Sequence, residues 1–274
     1  MMDNNYEMLA PPVATLYTDK IGLIDADFIK YLVTYQINQD IVNKNIHVHK
    51  YPLAKYTQDK IDNITNRFNA KGFIFCFSGN AVNTFRSYVA FDKQYKGNRK
   101  YIDTYPKEAE DKISVMKYIQ ERYPTLIYSD LEADDVVSML QCEDTFVFSR
   151  DKDLLQIPGT HYNIKEEKFV EVSKQEAFRF LMTQMLIGDS VDNIGGIKSI
   201  GIKRADVLLT KYDTKQLHQV VLQEYVKTYG MFEGIDRFTE AWNLVALRLN
   251  RGEYFLSKYK SAFDTLRMIK SFTL

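Results

Sequence analysis

The sequence predicts an α/β fold, with a mostly parallel central sheet, helices on both faces and a C-terminal helical subdomain. Up to about residue 173, short apolar runs alternate with longer stretches of helical periodicity. Beyond that point the strand signals stop and only helical patterns remain. The 274 residues, 45% of them hydrophobic, suffice for one core with a smaller lobe attached. Without repeats or a Pro/Gly/Ser-rich spacer, we expect one compact unit.

The individual elements follow from these runs in chain order. Strands are predicted at 20–24, 73–77, 125–128 and 145–148. Helices are predicted at 28–37, 56–70, 107–121 and 133–141, and then at 174–187, 202–210, 214–228, 235–250 and 259–270. Residues 1–18 are polar and expected to be a loosely ordered segment. The expected units are therefore this segment, an α/β core over 19–173 and a helical subdomain over 174–274.

The global composition favours a protein of the cell interior. The two cysteines, Cys76 and Cys142, lie within apolar runs, which predicts buried thiols and a reducing compartment. Apolar stretches such as 73–77 are far shorter than the roughly 20 residues needed to cross a bilayer. Residues 1–20 lack the pattern of a secretory signal. We therefore expect cytoplasmic localisation and no membrane partner.

Carboxylates follow three of the four predicted strands directly. Because the carboxyl ends of parallel strands share one edge of a sheet, these side chains should gather there; we call this the acidic edge. Between residues 130 and 153, eight acidic residues stand against two basic ones, and such crowding favours a bound divalent cation. Oxygen ligands favour Mg²⁺ or Mn²⁺ over zinc. The candidates are Asp25, Glu132, Asp134, Asp135, Asp151 and Asp153.

A simpler interpretation exists for each of these acids, because a carboxylate after a strand often caps the next helix. It remains open for each one singly, and we expect Asp130 to be only a cap and Asp27 to lie at the surface. Asp189 and Asp192 form a further pair. Their spacing of three can place both on one side of a helical turn. They could complete a second metal site if the helical subdomain folds back over the acidic edge.

The basic residues are also segregated, although 36 Lys and Arg exactly balance 36 Asp and Glu over the whole chain. From 86 to 107, six basic residues stand against two acidic ones, with aromatic residues between them. Cations and aromatic rings together are typical of a single-stranded nucleic-acid contact, whereas the alternative is a solvated loop. A glycine turn at 195–201 leads into another basic helix start, where a phosphate can bind. The candidate DNA contacts are Arg86, Lys93, Tyr95, Lys100, Lys198, Lys203 and Arg204.

Five blocks together resemble the flap endonuclease and 5′–3′ exonuclease superfamily, in particular its bacteriophage and polymerase-associated 5′-nucleases. They cover roughly residues 20–210 in the family's order. The blocks are Ile24-Asp25, Tyr95-Lys96-Gly97-Asn98-Arg99, Glu132-Ala133-Asp134-Asp135, Ser149-Arg150-Asp151-Lys152-Asp153, and Gly188-Asp189 through Asp192-Asn193 into Gly201-Ile202-Lys203-Arg204.

The resemblance implies a nuclease that uses two Mg²⁺ ions, with Mn²⁺ as a substitute, to cut DNA at 5′ ends and flaps. The products would be a 5′ phosphate and a 3′ hydroxyl, in DNA replication or degradation. It also implies a monomer and leaves an RNA–DNA hybrid substrate open. The implied ligands of the first ion are Asp25, Glu132 and Asp134, and those of the second are Asp151, Asp153, Asp189 and Asp192. Asp135 is implied to bind an ion through a water molecule or to support one of the ligands.

Two binding elements are implied as well. Residues of about 83–106 would form a helical arch, in which Lys96 faces the scissile phosphate and Arg99 supports its charge. Residues of about 188–210 would form a helix–three-turn–helix that grips the duplex backbone, often with a bound K⁺.

The chain departs from the family pattern at two positions. Ser78-Gly79-Asn80 stands where members usually carry an Asp, and Gln184 stands where a Lys is common. A rival hypothesis follows from the first departure, namely a branched-DNA binding protein with a weakened metal site; an RNA-primer remover is a third. The scattered histidines indicate no competing nucleophilic site.

Overall fold

The computed structural model describes residues 15–43, 46, 50–79, 84–99 and 103–248. Three predictions fall outside these residues, namely most of the 1–18 segment, Lys100 and the helix at 259–270. The described strands are β1 (Leu16–Tyr17), β2 (Ile21–Asp25), β3 (Phe68–Asn69), β4 (Gly72–Ser78), β5 (Thr125–Tyr128), β6 (Thr145–Phe148), β7 (Gly159–Asn163), β8 (Lys168–Val172), β9 (Gly188–Asp189) and β10 (Ile194–Gly195).

A six-stranded sheet in the order β5-β4-β2-β6-β7-β8 forms the centre of the molecule. All neighbours in it are parallel except β7 and β8. The chain runs outward from β2 through β4 to β5 and then returns to β6 on the other side of β2. The carboxyl ends of β2 and β6 therefore form the switch point at which open α/β sheets bind ligands. The predicted fold class and all four predicted strands are confirmed.

The described helices are α1 (Asp27–Val42), α2 (Leu53–Thr65), α3 (Phe85–Val89), α4 (Glu108–Arg122), α5 (Ala133–Leu140), α6 (Lys174–Ile187), α7 (Ile202–Leu209), α8 (Leu217–Tyr229) and α9 (Met231–Val245), with 3-10 turns at Lys152–Gln156 and Thr214–Gln216. Each predicted helix before residue 250 has a counterpart, but some ends differ by several residues: α1 continues to Val42, and α9 begins at Met231 and ends at Val245. The helix predicted to reach residue 70 ends at Thr65, because Phe68 and Asn69 pair with β1 instead.

Helices cover both faces of the sheet, and the alternation of side chains along β2 shows how. Ile24 points into a core shared with α1, α2 and α4, whereas Leu23 points to the opposite face, against Val136 and Val137 of α5. Both β2 residues are fully buried. Helices α6 to α9 enclose a separate apolar cluster around Trp242. Because α5 packs on β2 and begins shortly after β5, its first residues lie at the carboxyl edge of the sheet.

Two sequence expectations are corrected. Cys76 is buried as expected, but Cys142 is exposed, because it lies in the turn between α5 and β6. No strand was predicted at 159–172, where β7 and β8 form an antiparallel hairpin. Among the described residues, no helix has the length and apolarity needed to cross a bilayer.

Candidate active site

The start of α5 brings three carboxylates to the sheet edge. The backbone N–H of Glu132 donates to Asp135 Oδ2 at 3.4 Å, and that of Ala133 donates to Ser78 Oγ at 2.9 Å. Glu132 and Asp135 form a capping box at this helix start, so the capping interpretation is correct for both, and Ser78 at the end of β4 takes up a further free N–H. Asp134 Oδ1 accepts the backbone N–H of Asp135 at 2.8 Å, and Asp134 also lines the cleft described below.

Arg86 on α3 is almost completely buried, with 1% of its surface exposed. Its guanidinium grips both oxygens of Asp135, at 2.5 and 2.9 Å, and lies 3.3 Å from Glu132 Oε2. Burial alone would lower the pKa of Arg86, but Asp135 and Glu132 raise it well above its usual value. The expectation that Arg86 contacts DNA is therefore corrected, because its donors face carboxylates inside the protein.

The pKa values of the neighbouring residues Asp134 and Asp135 are shifted in opposite directions. Burial raises the pKa of Asp134, and the charge of Asp135 raises it further. Burial would also raise the pKa of Asp135, but Arg86 outweighs it and lowers that pKa. Asp134 lines a cleft of about 300 Å³ together with Asp153, Asp189 and Asp192. The structure thus brings four of the predicted ligands to one cleft, where negative charge is costly without a cation.

Asp25 and the loop after β6 are joined through Ser149. The Ser149 hydroxyl donates to Asp25 Oδ2 and accepts the backbone N–H of Asp151, both at 3.0 Å. Burial, reinforced by the charges of Asp27 and Asp151, raises the pKa of Asp25 to about 7. The pKa of Asp153 is also raised to about 7, by burial and then by Asp151 and Asp189. Both carboxyls are therefore held where a cation would favour their ionised form.

Asp27 is not the free surface residue that the sequence suggested. Its Oδ1 accepts the backbone N–H of Ser78 at 3.4 Å and pairs with Lys30 at 2.7 Å. The side chain is only a quarter exposed, because α1 begins at the sheet edge.

Asp189 and Asp192 lie on the β9–β10 hairpin rather than on a helical turn. Asp189 Oδ1 accepts the N–H groups of Val191 and Asp192, at 2.7 and 3.3 Å, which shapes the hairpin turn. Gly188 has a φ of +70°, and a Cβ on Gly196 would lie 2.2 Å from the carbonyl carbon of Ile187. The glycines therefore allow the hairpin to pack closely against the end of α6.

Lys96 reaches into this acidic group from the segment that links β4 and β5. Its Nζ lies 2.5 Å from Glu132 Oε1 and 3.8 Å from Asp192 Oδ2. Burial would lower the pKa of Lys96, but Glu132 and Asp192 raise it, so the ammonium stays charged. Arg99 pairs with Asp192 as well. Tyr95, predicted to contact DNA, is 8% exposed, and its hydroxyl lies 2.8 Å from Glu132 Oε2.

The 94–99 segment is fixed to the hairpin by its backbone. The N–H of Lys96, whose φ is +54°, donates to Asp192 O at 2.8 Å. Asn98 Nδ2 donates to Ser190 O, and Asn193 Nδ2 donates to Gln94 O. Only Phe85–Val89 is helical among the described residues of the expected helical arch. The cations are thus held over the acidic edge by an irregular segment.

The remaining basic candidates lie at the surface. Lys93 is exposed beside a second cleft of about 340 Å³, which Arg237 and Tyr229 also line. Lys198, Lys203 and Arg204 are exposed around the start of α7. These four residues are accessible to a phosphate backbone.

The chemistry of the acidic group fits a divalent cation. The ligand atoms are carboxylate oxygens, and raised pKa values at Asp25, Asp134 and Asp153 indicate that positive charge is favoured there. In the described part of the chain, no three His, Cys, Asp or Glu side chains are placed to hold a metal ion as they stand. Lys96 and Arg99 pair with Glu132 and Asp192 instead, so these side chains must rearrange around an ion.

Sequence reasoning missed the polar residues behind the carboxylates. Gln184 Nε2 donates to Asp153 Oδ1 at 2.7 Å, and the backbone N–H of Arg248 donates to Asp135 Oδ1 at 3.0 Å. The replacement of a family Lys at 184 was a signal for the first contact, whereas no motif indicated Arg248.

Comparison with known proteins agrees with this site. The family model described as the 5′–3′ exonuclease N-terminal resolvase-like domain matches residues 20–182. The chain is 31% identical over 215 residues to a 5′–3′ exonuclease of Buchnera aphidicola subsp. Schizaphis graminum, covering 72% of each. It is 33% identical over 169 residues to the 5′–3′ exonuclease of the subsp. Acyrthosiphon pisum, covering 56% of this chain and 57% of that protein.

Longer relatives and solved structures extend the comparison. The DNA polymerase I of Borreliella burgdorferi is 28% identical, over 64% of this chain and only 22% of the polymerase. A crystal structure of T5 D15 protein co-crystallised with metal ions superposes with a TM-score of 0.64 at 15% identity, covering 90% of this chain and 96% of that one. The T5 D15 flap endonuclease, in a pseudo-enzyme–product complex with DNA and metal ions, superposes with a TM-score of 0.60 at 15% sequence identity. By its sequence, this chain belongs to the 5′–3′ exonuclease family.

Proposed function

We propose that the protein is a divalent-metal-dependent 5′-nuclease that hydrolyses DNA phosphodiesters at 5′ ends and flaps. The observation that carries the proposal is the meeting of carboxylates from α5, the loop after β6 and the β9–β10 hairpin in one cleft, next to Lys96 and Arg99. Asp25 at the end of β2 is joined to the loop after β6 through Ser149. The products are a 5′ phosphate and a 3′ hydroxyl. Membership of the 5′–3′ exonuclease family supports this reaction class.

The proposed ligands are Asp25, Glu132 and Asp134 for one Mg²⁺ and Asp151, Asp153, Asp189 and Asp192 for another, with Mn²⁺ as a substitute. A pair of such ions supplies the charge that activates water and stabilises the leaving 3′ oxygen. The T5 D15 protein has been crystallised with metal ions and with DNA, which supports the same ligand classes here. Asp135 stays engaged with Arg86 and supports the cleft from behind.

The cations of the 94–99 segment bind and orient the substrate. A phosphate that enters the cleft competes with Glu132 and Asp192 for Lys96 and Arg99, so both side chains can turn from carboxylate to phosphate. In the metal-free protein, Glu132 and Asp192 outweigh the effect of burial and raise the pKa of Lys96, so the side chain is charged when a phosphate enters. Its proposed role is to contribute positive charge to the phosphate.

Duplex DNA binds at the exposed basic side chains of Lys198, Lys203 and Arg204, and at Lys93, which lines the second cleft. The helix–three-turn–helix over about 188–210, and a K⁺ ion bound there, are part of this proposal. So are the division into a core over 19–173 and a helical subdomain over 174–274, a monomeric state, a cytoplasmic location and activity on RNA–DNA hybrids.

One experiment tests the proposed function. The protein is incubated with a 5′-flap duplex, a blunt duplex and an RNA–DNA hybrid, in Mg²⁺ or EDTA, and the cuts are mapped. We expect cleavage at the flap in Mg²⁺ and none in EDTA. The rival, a branched-DNA binding protein, predicts tight flap binding in EDTA and no cuts after Mg²⁺ is added.

A further inference from the structure

The segment of residues 244–248, which comprises the end of α9 and the three residues after it, crosses the back of the acidic site. The carbonyl oxygen of Leu244 accepts from Arg86 Nε at 2.9 Å, and that of Ala246 accepts from Arg86 Nη2 at 3.4 Å. The N–H of Arg248 donates to Asp135 Oδ1 at 3.0 Å. All three residues are buried. This segment therefore completes the coordination of the Arg86–Asp135 pair, which would otherwise hold unpaired donors in the interior.

The same segment is tied to the other side of the site by two glutamines. Gln156 Oε1 accepts the N–H of Leu247 at 3.2 Å, and its Nε2 donates to Val245 O at 3.0 Å. Gln156 Nε2 also donates to Gln184 Oε1 at 2.6 Å, and Gln184 Nε2 donates to Asp153 Oδ1 at 2.7 Å. The chain of bonds thus runs from the segment to a proposed metal ligand.

The direction of this relay is fixed by its two ends. The backbone N–H of Leu247 can only donate, and the carbonyl oxygen of Val245 can only accept. Gln156 must therefore present its oxygen to Leu247 and its nitrogen to Val245 and Gln184. Gln184 is then left with its nitrogen toward Asp153, which receives a neutral donor rather than a positive charge.

We propose that the 244–248 segment is part of the nuclease site and positions its carboxylates through two sets of hydrogen bonds, which we call arms. One arm is Arg86, which orients Asp135 and Glu132; the other is the relay through Gln156 and Gln184, which orients Asp153. The inference rests on the proposed function, because it takes these carboxylates to serve the metal ions. Gln156 and Gln184 are positioning residues.

Two further observations support a role beyond packing. Leu244, Val245 and Leu247 line the same cleft as Asp134, Asp153 and Asp189, so the segment is a wall of the site itself. In addition, the neutral amide of Gln184 orients Asp153 without neutralising it, which leaves the carboxylate charge for a cation. A residue chosen only to fill space would not need this donor.

The relay can be tested with Gln156→Leu and Gln184→Leu, which keep the size of the side chain and remove the amide. Gln175→Leu is the matched control, because Gln175 is exposed in the first turn of the same helix as Gln184. Mn²⁺ binding is measured by electron paramagnetic resonance of the free ion, next to thermal unfolding and to kcat and KM on a 5′-flap duplex. Gln156→Leu is the sharper variant, because its amide bonds to no carboxylate.

Loss of an outer partner of a metal ligand typically costs about 10–100-fold in affinity or activity. We therefore expect both variants to bind Mn²⁺ at least about tenfold more weakly and to lose kcat by a similar factor. KM for DNA should stay unchanged, and Gln175→Leu should match the wild type in every measurement.

The inference is overturned if folded Gln156→Leu binds Mn²⁺ and cleaves as the wild type does. Should Gln156→Leu fail to fold, Gln156→Glu replaces it, because it keeps the acceptor for Leu247 and loses the donor to Gln184. If the wild type itself binds no Mn²⁺ and cuts nothing, the proposed function fails, and this inference fails with it.

Discussion

Lys96 Nζ lies 2.5 Å from Glu132 Oε1, so the cation that we propose to bind the substrate pairs with a proposed metal ligand. The pair joins the 94–99 segment to the start of α5 across the acidic edge. Because a phosphate and Glu132 compete for the same ammonium, Lys96 links substrate entry to the state of the carboxylates.

Lys96→Ala should lower the single-turnover cleavage rate by about 100-fold or more, because one positive donor to the phosphate is lost. Its affinity for Mn²⁺ should not fall, since the ammonium no longer competes for Glu132. Lys117→Ala is the control, because it removes the same charge from an exposed position on α4. An equal loss of rate in both variants would contradict the role assigned to Lys96.

Asp134→Asn should reduce Mg²⁺-dependent cleavage by more than about 100-fold, the upper end for residues that only support a ligand. The metal-free variant should also be more stable than the wild type at pH 8, because a buried negative charge is removed. Urea unfolding in EDTA measures this difference. Asp130→Asn is the control, since Asp130 lies just outside the site; retention of full activity by Asp134→Asn would show that the ligand assignment is wrong.

The metal-free protein should lose stability as the pH rises from about 4 to about 7. Burial raises the folded-state pKa of Asp25 and of Asp153 to about 7, whereas an unfolded Asp titrates near 3.9. Between these values the folded state holds protons that the unfolded state has lost, so the free energy of unfolding falls with pH and then levels off. Mg²⁺ should flatten this dependence, because it favours the ionised carboxylates. Thermal unfolding at pH 5 and 8, in EDTA and in Mg²⁺, measures both effects.

Ser78→Asp should restore the carboxylate that family members usually carry after this strand. The new side chain can still accept the N–H of Ala133, as Ser78 does at 2.9 Å. We expect about tenfold tighter Mn²⁺ binding, equal to about 1.4 kcal/mol, and lower stability in EDTA because of the added like charge. Ser129→Asp adds the same charge at an exposed position nearby and should change neither the Mn²⁺ affinity nor the stability in EDTA.

Arg86→Ala and Arg204→Ala should separate structural from DNA-binding cations. Arg86→Ala leaves Asp135 buried without its partner, which should cost about 3–5 kcal/mol of unfolding free energy. Arg204→Ala should change stability by less than about 0.5 kcal/mol and reduce the salt dependence of duplex binding by about one unit of slope. Urea titration and binding at several salt concentrations report the two effects; a stable Arg86→Ala protein with weakened DNA binding would reverse the assignment.

Apolar periodicity was enough to predict the parallel strands and most helices, but it failed at the β7–β8 hairpin. In β7 the buried positions include Thr160 and His161, whose polar atoms bond to Glu171 and to the carbonyl oxygen of Ile157. Polar side chains can be buried in such a strand because their polar atoms form hydrogen bonds. Its sequence therefore carries no alternation of apolar and polar residues.

The placement of Asp25, Asp134 and Asp153 was predictable because they follow strands, and strand ends converge in a parallel sheet, whereas the hairpin that carries Asp189 and Asp192 was not predicted. The role of Arg86 was not, because its partner Asp135 is 49 residues away in the chain. In the sequence, a basic residue that contacts DNA cannot be distinguished from one that pairs with a buried carboxylate. Only the fold decides between these two outcomes.

The Arg86–Leu244 hydrogen bond closes a loop of 158 residues, and the Asp135–Arg248 bond closes one of 113. Both bonds tie residues at the end of the described chain to the back of the acidic site, whereas the pairing of β2 with β6 does not involve them. We therefore expect a chain shortened before residue 244 to keep the central sheet and to lose Mg²⁺-dependent cleavage, because Arg86 and Asp135 lose partners there.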